Sequence, residues 1–140
     1  MVQAEQTIRR FMRSDPITIS RDLTVEDARE RMHTHGIRHL PVVHDERLVG
    51  VLSDRDVARA EGATGGDLRT MRVEEAMIPA PYVCHPDESL RRVVNDMAER
   101  RLGCAVVVER DRVVGVFTTI DALHRLAGLC DIVEMIARAG

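Results

Sequence analysis

Two seven-residue stretches hold the residue types best suited to grip a small polar molecule: GVLSDRD, Gly50–Asp56, and GVFTTID, Gly115–Asp121. Each runs glycine, two apolar residues, a hydroxyl residue and, three positions later, an aspartate, at a strand-to-helix junction by pattern. The glycine lets a backbone or a ligand approach closely. The hydroxyl of Ser53 or Thr118 stands beside the free N–H groups of a helix N-terminus, where a phosphate is favoured. The carboxylate of Asp56 or Asp121 can accept from the two hydroxyls of a ribose, as acidic residues do in other nucleotide sites. The same residues also suit a purely structural role, as N-caps followed by first-turn acids. One such stretch alone reads as a cap. Two at equivalent places are better explained by two related sites.

A third stretch, MHTHGIRHLPVVH from Met32 to His44, concentrates His33, His35, His39 and His44 and raises the question of a metal. The spacing argues against one. His33 and His35 are two apart near a helix end and point to different faces, and Gly36 breaks any i, i+4 pairing with His39. No cysteine lies at ligand spacing. The histidines read as surface or neutral structural residues, with His39 the one candidate for a binding cleft.

These stretches are positioned by a repeat. Shifted by 65 positions, residues 8–58 fall on 73–123 without a gap, with identities that include Met12/Met77, Pro16/Pro81, Asp22/Asp87, Gly50/Gly115 and Asp56/Asp121. Matching Pro and Gly is not what chance apolar similarity gives. Each copy has a short extended piece (Ile17–Ile19, Tyr82–Cys84) and then a helix opening at Thr24 or Ser89. In that helix Val25, Ala28 and Met32, or Leu90, Val93 and Met97, form one buried stripe. Two apolar runs around a charged turn follow, HLPVV–HDER–LVGVL and CAVVV–ERDR–VVGVF, and read as a hairpin. A second helix opens at Ser53 or Thr118. The fold class is therefore α/β of the α+β type: tandem β-α-β-β-α repeats packed with pseudo-two-fold symmetry into one globule. The domains are 8–60, a Gly-rich linker at 61–72, 73–125, and a C-terminal helical extension at 126–140. Leu123, Leu126, Ala127, Cys130, Val133, Met135 and Ile136 are more apolar surface than a short helix needs, which marks a partner surface.

Composition narrows the function. Charge is −3, with two Phe, one Tyr and no Trp, so neither phosphate neutralisation nor aromatic stacking supports nucleic-acid binding. The polar start MVQAEQTIRRFMRSD is not a signal peptide, and no apolar run is long enough to span a membrane. Cys84, Cys104 and Cys130 are odd in number and lack CxxC spacing, which suits free thiols in the cytoplasm. No Walker loop, GxGxxG, GxSxG or HExxH occurs, so the chain reads as a binding protein and not an enzyme.

Met12–Thr18 (M-x-x-x-P-x-T), GIRHLPVV in Gly36–Val43 and GVLSDRD together resemble a cystathionine β-synthase (CBS) domain, and the second copy resembles another. The chain is thus similar to a CBS pair, or Bateman module, over residues 8–123, with no catalytic domain left over. The resemblance implies adenosine-containing ligands (AMP, ADP, ATP, S-adenosylmethionine or NAD types) held in two clefts between the repeats. One cleft would combine Ser53, Arg55 and Asp56 with Tyr82, Val83, Leu102 and Cys104. The other would combine Thr118 and Asp121 with Ile17, Thr18, Ile37, Arg38 and His39. Arg38–His39 matches a phosphate-directed feature of the family, whereas the second copy has Gly103–Cys104, and Val106 replaces Pro41. The Thr118/Asp121 cleft is therefore expected to favour phosphorylated ligands. No cofactor and no metal is implied. The expected partners are the adenosyl ligand, a second copy in a homodimer, and a regulated protein of unknown identity. A different class remains open: a constitutive scaffold or stress-response interaction protein with degenerate clefts. Redox sensing through Cys104 or Cys130 has no support beyond their presence.

Overall fold

Alternating Val/Leu runs around a two-residue turn dictate a hairpin, and a hydroxyl followed three residues later by an acid dictates a helix start. The computed structural model describes residues 5–140; the first four residues of the polar N-terminal stretch lie outside the described residues. In chain order come β1 (Arg13–Ser14), β2 (Ile19–Ser20), α1 (Val25–His35), β3 (His39–His44), β4 (Arg47–Ser53) and α2 (Asp54–Ala63). The second half follows with α3 (Val73–Ala76), β5 (Ile78–Pro79), β6 (Val83–Cys84), α4 (Leu90–Glu99), β7 (Cys104–Glu109), β8 (Arg112–Thr118) and α5 (Thr119–Ala139). The hairpin turns Asp45–Glu46 and Arg110–Asp111 take positive φ at both residues, the twist-matching conformation of a two-residue loop. The first strand of each repeat starts later than the sequence pattern suggests. Only Ile19–Ser20 and Val83–Cys84 pair, each in parallel with the next strand, before the chain turns into its helix.

The sheets are ordered β2-β3-β4-β5 and β1-β8-β7-β6, so each repeat donates a two-residue strand to the other. Arg13 pairs opposite Val116, and Ile78 opposite Val51. Hydrophobic burial follows the exchange. Ile8 is packed with Cys84, Val93, Met97, Ala105, Val107 and Phe117 in the second core, while Val73 lies in the first with Ile19, Leu40, Val42 and Leu52. Gly50 and Gly115 make room for this crossing. A Cβ on Gly50 would meet Met77 Sδ and come within 2.9 Å of the Ile78 carbonyl; one on Gly115 would meet Met12 Sδ and the Arg13 carbonyl. The close approach that the glycines permit is to the exchanged arm.

The Gly-rich segment between the repeats is tied down as well, for Leu68 within it is buried in the first core. The last helix is continuous from Thr119 to Ala139. Beyond Ala122 every residue of it is exposed.

Candidate functional site

The two strand-to-helix junctions are built alike. Ser53 Oγ accepts from the Asp56 N–H at 3.3 Å, while Asp56 Oδ2 accepts from the Ser53 N–H and hydroxyl, both at 2.8 Å. Thr118 Oγ1 accepts from the Asp121 N–H at 3.2 Å, and Asp121 Oδ2 accepts from the Thr118 N–H at 2.9 Å. These are capping boxes, which hold two otherwise orphaned backbone donors at each helix start. Thr24 and Asp27 form the same box on α1, so a box by itself marks no site. What distinguishes the junctions is burial and place. Asp56 and Asp121 are the buried charged side chains among the described residues, at 6% and 9% exposure, and each lies just past the end of a central strand.

The box uses only Oδ2, and the second oxygen differs between the copies. Asp56 Oδ1 has, among the described residues, only the Arg59 guanidinium at 3.6 Å. Asp121 Oδ1 accepts from Nε of Arg13 at 2.9 Å, with Nη2 in ion-pair contact at 2.9 Å. Arg13 is absent from the residues that sequence pattern picked out. Its partner is 108 positions away, and only the exchanged strand β1 brings it there.

His39 opens β3 directly opposite Ser53, and Cys104 opens β7 directly opposite Thr118. An antiparallel hairpin pairs the first residue of one strand with the last of the other. The hairpin starts therefore sit at the junctions of their own repeats. The Arg38 carbonyl accepts from the Asp54 N–H at 3.0 Å, and the Gly103 carbonyl from the Thr119 N–H at 3.1 Å. The resemblance groups Arg38 and His39 with Thr118 and Asp121; the charged neighbours of His39 in the structure are Asp54, Asp56, Arg38 and Arg55. The contact across repeats is the His39 ring on Gly103, where an added Cβ would come within 3.0 Å of Nε2.

Burial lowers the His39 pKa below the usual imidazole value; Asp54 and Asp56 oppose the shift, and Arg38 and Arg55 add to it. The folded state thus holds this ring neutral. A depressed histidine contributes stability above its unfolded value of about 6.5, and that contribution is lost as pH falls from there through the folded value. Urea midpoints should therefore drop more steeply in the wild-type chain than in His39→Gln between about pH 7 and about pH 5. Parallel curves for the two proteins would count against a buried neutral ring.

Tyr82 is committed to its own repeat: its hydroxyl donates to Asp96 at 2.7 Å and its ring lies under the Arg100 guanidinium at 5.2 Å. Val83 is exposed, and Leu102 packs on the second core. Ile17 and Ile37 pack on the first core, and the Thr18 carbonyl accepts from Arg31. Arg38 and Arg55 are exposed. Burial, with Asp121 adding to it, pushes the Cys104 thiol up to about 12, far from the reactive thiolate range. Among the described residues, His85, Asp87 and Glu109 form the one group with metal-ligand proximity. None of the four histidines of Met32–His44 belongs to it, and Arg9 already bonds both carboxylates, at 3.2 and 3.0 Å.

Comparison with known proteins agrees with the repeat. The model of the CBS domain matches residues 8–63 and again 73–128. The fold superposes on a putative acetoin utilization protein (AcuB) from Vibrio cholerae with a TM-score of 0.83, at 26% identity over 94% of this chain and 98% of that one. It superposes at 0.80 on the CBS domain pair of protein MJ0100 in complex with 5′-methylthioadenosine and S-adenosyl-L-methionine, at 27% identity over 89% and 98%. Among curated relatives, the inosine-5′-monophosphate dehydrogenase of Korarchaeum cryptofilum is 31% identical over 89% of this chain. The chain spans only about a quarter of that enzyme and of other first relatives it matches.

Proposed function

The chain belongs to the CBS domain family, of which it carries two copies, and from that membership we propose that it is a regulatory module. In this reading it binds an adenosine-containing ligand at the Ser53/Asp56 and Thr118/Asp121 junctions and reports ligand state to a protein partner. The observation that carries the proposal is the duplicated junction, where a hydroxyl, helix N–H groups and a buried aspartate meet at the end of a central strand in both repeats. A helix N-terminus suits phosphate, and an aspartate oxygen outside the box suits a ribose hydroxyl. Arg38, Arg55 and His39 supply cationic or donor groups near the first junction. The likeness to a CBS pair in complex with 5′-methylthioadenosine and S-adenosyl-L-methionine supports an adenosyl ligand. Signalling would follow from differential affinity, with ligand favouring one arrangement of the repeats.

The module needs no resident cofactor and performs no catalysis of its own; the enzymes among its relatives are far longer than this chain. No helix of the described residues is long and apolar enough to cross a membrane, and we place the protein in the cytoplasm. Two copies pair through α5. The second reading, a constitutive scaffold, is favoured by one observation: both carboxylates serve as helix caps, a structural role that accounts for their burial.

A thermal-shift screen against AMP, ADP, ATP, S-adenosylmethionine and NAD, with guanine nucleotides as controls, separates the two. A ligand at a hundred times its dissociation constant stabilises the native state by ~2.7 kcal/mol. The expected result is a rise with one adenosyl ligand that shrinks in Asp56→Asn or Asp121→Asn, substitutions that keep an N-terminal acceptor but lose the charge. A flat panel would select the scaffold.

A further inference from the structure

The repeats align without a gap, yet position 13 is arginine where the equivalent position 78 is isoleucine. That single difference changes the state of an aspartate oxygen. With Oδ2 of Asp121 held by the Thr118 N–H and Oδ1 by a hydrogen bond and an ion pair from Arg13, both oxygens of this carboxylate are engaged within the protein. At the other junction Ile78 offers no charged group to Asp56, whose Oδ1 faces, among the described residues, only the more distant Arg59.

We infer that Arg13 determines specificity at the Asp121 cleft, admitting adenosyl ligands that carry a phosphate and disfavouring those that do not. The inference rests on the adenosyl reading above. A ribose hydroxyl reaching Asp121 Oδ1 must replace a charge-assisted hydrogen bond and its ion pair with a neutral hydrogen bond, which is the weaker partner. An uncharged nucleoside gives the displaced guanidinium nothing in return. A nucleotide offers its phosphate, which a guanidinium fork matches as well as it matches a carboxylate. The swing is short, because the Arg13 backbone is fixed in β1 opposite Val116 while its side chain is 57% exposed. The Asp56 cleft lacks this filter at its aspartate.

The test is calorimetric titration of adenosine and AMP into the full chain carrying Asp56→Asn, which weakens binding at the other cleft. Arg13→Ile, copying position 78, is then added. The ratio of AMP to adenosine affinity should fall by ~10-fold or more, because adenosine gains access and AMP loses a phosphate partner. Arg13→Lys should retain part of the preference, and it keeps the question open to measurement should Arg13→Ile fold poorly. An unchanged ratio in Arg13→Ile, with both ligands still bound, overturns the role of Arg13 alone. Failure of both probes to bind even the wild-type chain overturns the adenosyl reading, and this inference with it.

Discussion

Replacing Ile8 with alanine should destabilise the chain by about 2–4 kcal/mol, the cost of emptying a well-packed core position, even though Ile8 opens the first repeat and packs in the second. Its side chain is fully buried against Cys84, Val93, Met97 and Phe117. The backbone around it is stitched to the second repeat by Ile8 N–H to the Glu88 carbonyl at 2.9 Å, Arg9 N–H to Pro86 at 2.9 Å and Leu90 N–H to Gln6 at 2.8 Å. Surroundings held this firmly collapse little around a cavity, which places the loss well above that of a loop residue. Arg10→Ala is the control: Arg10 is exposed and, among the described residues, its side chain bonds only Gln6, so its removal should fall within about 0.5 kcal/mol. Urea denaturation reads both. Since each core holds an arm from the other repeat, Ile8→Ala should lower one shared transition instead of splitting it in two. A midpoint unchanged by Ile8→Ala would mean that the arm does not pack as described.

Why the arm escapes a reading of the sequence is physical. The repeat itself was legible because each hairpin and helix runs long enough to show a period, and because Thr24, Ser53, Ser89 and Thr118 sit where caps belong. Gly50 and Gly115 were legible as points of close approach, but not what approaches them. The exchanged strands are two residues each, Arg13–Ser14 and Ile78–Pro79, too short to show any alternation. Pro79, lacking an N–H, fits its edge position but would equally fit a loop. Once the exchange is missed, the partners of Arg13 are missed with it. A linear alignment pairs Arg13 with Ile78 and says nothing of Asp121. Tyr82 shows the same limit: its partners, Asp96 on α4 and Arg100 at the end of that helix, lie well along the chain, and no local pattern announces them.

In the homodimer proposed above, Leu126→Glu together with Val133→Glu should separate the two copies into monomers. Past Ala122, α5 continues for more than four turns with Leu126, Leu129, Val133 and Ile136 exposed at 55%, 56%, 57% and 68%. Cys130 lies on the same side, and His124, Asp131 and Arg138 recur every seven residues along the opposite face. A seven-residue repeat of apolar positions is the seam of a helix that packs against another helix. A helix in a protein draws most of its stability from packing such a face. Nothing in the described residues of this chain covers it, and the same stripe on a second copy is a partner of matching length and chemistry. Each Leu, Val or Ile fully buried in such a contact is worth roughly 1.5–3 kcal/mol, whereas two glutamates in the seam would have to be buried unpaired, which the interface does not tolerate. Sedimentation at micromolar concentration should show the wild-type chain as a dimer and the double variant as a monomer with its α/β core intact. Cys130 adds a local reporter: its thiol should react slowly in the dimer and quickly in the variant, while buried Cys84 stays slow in both. A wild-type monomer, or a variant that still dimerises, would show that α5 serves a partner other than its own copy.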